Sequence, residues 1–139
     1  MRRRTAITVI AAASVFAGCG GIKAPDLFIV ERTGTVAGAR LTLVVNEEGG
    51  VHCNGSRSGT LKLSDPQLVE ARALQEELQD LASEHATLAP GARSVLSYYV
   101  REESGTVRFS DTSPGQPHVL RRLALFVLQA SQQVCHLPL

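Results

Sequence analysis

Three cysteines, four histidines and the adjacent acids Glu47-Glu48 and Glu102-Glu103 are side chains of this 139-residue chain whose types suit chemistry. His52-Cys53 and Cys135-His136 together supply two thiols and two imidazoles, the donor set of a Cys₂His₂ zinc site. Their spacing argues against that use. If Cys53 lies in a strand, His52 points to the opposite face, and adjacent residues so arranged rarely serve one tetrahedral ion. His85 and His118 are scattered without metal-ligand spacing. Gly55-Ser56-Arg57-Ser58-Gly59 has the outer glycines of a nucleophile elbow, but Arg57 stands where serine is required. Neither a phosphate-cradling Gly-rich loop nor a His-Glu-x-x-His pair is present. Glu47-Glu48 and Glu102-Glu103 fall at expected hairpin turns, where hydration accounts for them. These residues predict a non-catalytic protein that needs no metal and no cofactor.

Charge is placed unevenly along the chain. Arg2, Arg3 and Arg4 belong to the 14 basic residues, and no acidic residue precedes Asp26. Without that head, 11 basic residues face 13 acidic ones, a net of about −2. A nucleic-acid-binding domain would show clustered basic excess, and two Tyr, four Phe and no Trp leave few stacking surfaces. Nucleic acid is therefore not expected as a partner.

The three arginines and the apolar run Thr5 to Ala17 read as the n- and h-regions of an export signal. The run is too short for a membrane-spanning helix, which needs about 20 apolar residues. Phe16-Ala17-Gly18-Cys19 resembles the bacterial lipobox, with Phe16 where Leu is usual. That resemblance implies removal of residues 1–18, a diacylglyceryl thioether on Cys19 and palmitate-type acylation of its new amino group. Two or more acyl chains make attachment to a bilayer effectively stable. The expected product is an exported lipoprotein on the outer face of the cell membrane, with residues 19–25 as a tether and 26–139 as one domain. With Cys19 lipidated, Cys53 and Cys135 remain as an even pair in an oxidising compartment, which predicts a disulfide.

The elements of that domain follow from periodicity. Leu27 to about Arg32 reads as a buried strand, and two glycines break the Thr33–Gly38 segment. Leu41, Leu43 and Val45 alternate with Thr42 and Val44 as a strand, and Asn46–Gly50 is a hairpin turn into Val51–Cys53. Thr60 to Leu63 suits a brief further strand. At Ser64 the period changes, because Ser64 and Gln67 form a capping-box pattern with Pro66 in the first turn. Leu68, Ala71, Leu74, Leu78 and Leu81 give one apolar stripe, and the acidic residues opposite it read as a solvated face. His85 suits the helix end, where a protonated ring favours the macrodipole. Leu96–Arg101 and Thr106–Ser110 form a second hairpin. A last helix runs from His118 to about His136, with Leu120, Leu123, Ala124, Val127, Leu128, Ser131 and Val134 inward. The order β-β-β-(β)-α-β-β-α predicts an α+β domain: one antiparallel sheet of four to five strands with both helices on one face.

Several local strings resemble emfourin, a small bacterial inhibitor of thermolysin-like metallopeptidases. They are Glu31-Arg32-Thr33-Gly34-Thr35-Val36-Ala37-Gly38, close to an Arg-Ser-Gly-Gly-x-x-Gly turn; Leu63-Ser64-Asp65-Pro66; Tyr98-Tyr99-Val100; and Ser110-Asp111 before a Pro-containing loop. The resemblance covers about Leu27 to Ser131. It implies a binding loop at Thr35, Val36 and Ala37, with Val36 as apolar insert and Tyr98 or Tyr99 as flanking anchors. Thr35 replaces the second glycine of the family's turn, and Cys53 and Cys135 are additions to it. Two functions are expected from this reading: a non-catalytic envelope lipoprotein that binds a ligand or partner, or alternatively an inhibitor of a secreted metallopeptidase.

Overall fold

The structure, a computed structural model, describes residues 25–55 and 61–137. The leader, Cys19 and most of the tether, and positions 56–60 of the polar loop with Arg57, lie outside the described residues. Six strands form one sheet: β1 (Asp26–Gly34), β2 (Leu41–Asn46), β3 (Gly50–Cys53), β4 (Leu61–Lys62), β5 (Leu96–Glu102) and β6 (Gly105–Ser110). Every pairing is antiparallel, in the spatial order β4-β3-β2-β1-β5-β6. The architecture is α+β, with one more strand than the four to five expected, because even two-residue β4 pairs with β3.

Alternation sets the two faces of the sheet. Phe28, Val30 and Arg32 of β1 point inward with Leu41, Leu43 and Val45 of β2 and Tyr98 and Val100 of β5. Ile29, Glu31, Tyr99 and Arg101 are only partly covered, on the opposite face. Leu27 and Phe28 are both buried although they are neighbours, because the ladder slips between Asp26 and Phe28. β1 also continues past Arg32, since Thr33 and Gly34 pair with Ser97 and Leu96 of β5. Gly34 permits that approach: a Cβ there would overlap the Val95 carbonyl oxygen.

Helix α1 (Asp65–Ser83) begins as its sequence predicts. The Ser64 N–H donates to Gln67 Oε1 at 2.9 Å, and Pro66 lies in the first turn. Ala71, Leu74, Leu78 and Ala82 carry the buried stripe, whereas Leu81 sits at its margin. The helix stops at a left-handed His85 (φ 51°), with Ala86 N–H returning to the Leu81 carbonyl and His85 N–H to Ala82. Helix α2 (His118–Gln133) is three residues shorter than expected, and Phe126 and Ala130 join its buried side. Ala124 packs half-buried against the core instead, and Leu128 is half-buried. Both helices and the inner sheet face share one apolar cluster, in which Phe28 meets Phe126 edge-on at 5.9 Å and Tyr98 stacks on Phe109 at 4.7 Å. Segment 86–88 runs beside β6 through Arg108, covering that sheet edge.

Cys53 and Cys135 form a disulfide, with Cα atoms 6.0 Å apart, that fastens the end of α2 to β3. His52 sits opposite Val44 on the outer sheet face, away from the bridge. Among the described residues no group of three or more His, Cys, Asp or Glu side chains is placed to hold a metal ion. Two of the acids of α1 are drawn into helix pairing: Arg122 of α2 meets both Glu70 oxygens at 3.0–3.1 Å and Glu77 at 2.6 Å. The Glu70 and Glu77 hydrogen bonds push the Arg122 guanidinium above its already high range.

Candidate functional site

The segment between β1 and β2 is held from beneath by a charged residue at a core position. Arg32 follows Phe28 and Val30 on the inward face and is only 2% exposed. Its Nε–H donates to the Ala39 carbonyl at 2.9 Å and Nη2 to Gly38 at 3.2 Å. Thr35 N–H donates to Val95 at 3.1 Å, and Ala39 N–H closes onto Val36 at 3.2 Å. Asp111 anchors the neighbouring chain, accepting from Ser94 Oγ at 2.9 Å and from the Val95 N–H. Residues 35–39 are therefore stapled on both flanks.

Facing this turn, helix α2 presents Ala124, Leu125 and Leu128, and a cleft of about 440 Å³ lies between them with Leu96 and Tyr98 along its wall. Its exposed large apolar side chains, Val36 (49%) and Leu125 (53%), belong to opposite rims. A pocket of this size, mostly apolar and with few polar groups, has the character of a small-molecule or side-chain binding site. Burial pushes the Tyr98 phenol above its usual range; Arg32 opposes that shift and Asp111 adds to it. Among the residues that line the cleft, no nucleophile is paired with a base.

Of the residues expected at a binding surface, Val36, Ala37 and Tyr98 line this one cleft. Thr35 is exposed on the same turn, joined to Val95 through its backbone. Tyr99 is on the other side of the sheet, under the Arg108 guanidinium at 4.0 Å from its ring centre. That separation follows from strand alternation, which sends adjacent side chains to opposite faces. A second hollow of about 370 Å³ opens beside Tyr99, bordered by Glu31, Pro90 and Arg108; Arg101 and Glu31 pair nearby at 2.9 Å. Sequence reasoning missed Arg32 and Leu125 as cleft residues. Arg32 had a readable signal, a charge in phase with Phe28 and Val30, and Leu125 is an apolar residue off the stripe of its helix.

No protein-family model, no curated protein and no solved structure matches this chain.

Proposed function

We propose that this chain is an exported lipoprotein, anchored through acylated Cys19, whose domain is a non-catalytic binding module. The observation that carries the binding reading is the apolar cleft between the stapled 35–39 turn and α2, with Val36 and Leu125 exposed on its rims. Apolar side chains left facing water at the edge of a formed cleft gain free energy when a partner covers them. The Cys53–Cys135 bridge supports the compartment, since such bonds persist where the surroundings are oxidising. Metabolic labelling with an alkyne fatty acid, followed by intact mass, tests the anchor. The expected outcome is a labelled chain beginning at Cys19, with label abolished by Cys19→Ala; an unlabelled chain with its leader attached rejects it. Affinity capture of the tethered form from its own envelope tests the binding role. A captured species should be lost on Leu125→Glu, and capture indifferent to that change rejects the cleft.

A second reading, inhibition of a secreted thermolysin-like metallopeptidase, is favoured by one observation: half-exposed Val36 sits on a turn pre-organised by Arg32. The element order and the strings that resemble emfourin support it. Residues 20–139 should then slow a thermolysin-type enzyme, with Val36→Asp relieving the inhibition; an unchanged hydrolysis rate excludes this reading.

A further inference from the structure

We propose that the cleft binds one aliphatic carboxylate of the fatty-acid type, its head at Arg32 and its chain along Val36, Leu125 and Leu128. This rests on the binding-module reading above and assigns that module a ligand class. The first reason is an unbalanced charge. Arg32 is almost wholly buried, yet the ion pairs among the described residues belong to Arg101 and Arg122, and no carboxylate meets it. A buried cation without a counter-charge is costly, and an anion that reaches it recovers much of that cost. Two Arg32 donors are committed to Ala39 and Gly38. No hydrogen bond from its Nη1 is found among the described residues, and Arg32 is one of the residues that line the cleft. Tyr98, paired with Arg32 across the strands, adds a phenol to the same wall. Asp111, a carboxylate close enough to raise the Tyr98 phenol, is occupied by Ser94 and Val95.

The second reason is what the rest of the cleft lacks. Arg32 and Tyr98 are the side chains there with polar groups; its other side chains are aliphatic. A peptide entering it would carry amides with few partners, each costing free energy when desolvated, whereas a polymethylene chain carries none. The charged head and unadorned apolar wall therefore fit one molecule with a carboxylate at one end and hydrocarbon behind it. The volume of about 440 Å³ holds a chain of moderate length.

Calorimetric titration tests this on the full chain carrying Cys19→Ser, a change outside every described element. The probes are sodium dodecanoate and dodecan-1-ol, both below micellar concentration. Dodecanoate should bind one to one and at least about tenfold tighter than the alcohol, because only the acid forms charge-assisted hydrogen bonds. Arg32→Gln should abolish that preference. Leu125→Glu, at an exposed helix position, should weaken dodecanoate by at least about tenfold with an unchanged unfolding midpoint, through repulsion and lost apolar contact. Equal affinity for acid and alcohol, or indifference to Leu125→Glu, overturns the proposal. So does binding of a free-carboxylate peptide ending in Leu where dodecanoate gives no heat, and so does silence from all three probes. The label on Cys19 and the Leu125-dependent capture are read separately, so the binding-module reading can stand where this ligand fails.

Discussion

Arg32 occupies a strand position whose neighbours in phase are Phe28 and Val30, and its charge is kept there by work it does for the backbone. Removing the guanidinium leaves the Gly38 and Ala39 carbonyls without their buried donors. Arg32→Gln should therefore lower stability by about 1–3 kcal/mol in urea unfolding, the usual cost of orphaned buried polar groups. Tyr98 makes a pH-dependent contribution of definite sign. Its folded phenol titrates above the ordinary value of 10.0, so between those two points the folded state holds a proton that the unfolded chain has released. The associated stability is complete below pH 10 and declines as pH rises further. Unfolding midpoints measured from pH 8 to 11 should fall above pH 10, and Tyr98→Phe should flatten part of that fall.

At the scale of elements, α1 meets the β5–β6 hairpin at a point with no room for a side chain. Gly105 has φ 154°, and a Cβ there would overlap the Ala82 carbonyl oxygen at the end of α1. Gly105→Ala should cost about 2–4 kcal/mol from overpacking and backbone strain together, read from thermal or urea unfolding. The ion pairs that join the helices act more gently. Arg122 and its partners Glu70 and Glu77 are 27%, 40% and 47% exposed, so Arg122→Ala should cost about 1 kcal/mol or less and lose its effect in high salt. An Arg122 effect that persists in 1 M salt would show that its aliphatic stem, rather than its charge, supports the helix pair.

For the whole molecule, the bridge from Cys53 to Cys135 spans 82 residues of sequence and closes β4, α1, β5, β6 and α2 into one loop, with β1 and β2 ahead of it. In the chain-entropy description such a closure contributes on the order of 4 kcal/mol. Reduction, or the double change Cys53→Ser and Cys135→Ser, should lower the unfolding free energy by roughly that amount. A two-layer domain of this size has a modest core, so a cross-link of that strength is a large share of its stability. The bridge holds the far end of α2, and the cleft lies between the middle of that helix and the Arg32-braced turn.

The two repeating periods, two for strands and 3.6 for helices, were legible along the chain because each is written within a few residues. So were the Ser64–Gln67 cap, the hairpin turns and the outward direction of His52. Local chemistry carries those signals, and the element order follows from them. The union of β5 with the free side of β1 is a different matter, since it joins Arg32 to Tyr98 and Gly34 to Leu96 across an intervening helix. Pairings between distant segments are chosen by how completely an entire sheet face can be buried, which no short window records. The cleft depends on that choice: Val36, Tyr98 and Leu125 come from a turn, a strand and a helix, and packing alone makes them neighbours. Alternation of Leu96, Tyr98 and Val100 with Ser97, Tyr99 and Arg101 separates the two tyrosines within the sequence itself, and only the tertiary structure decided that Val36 and Leu125 meet Tyr98 in one cleft.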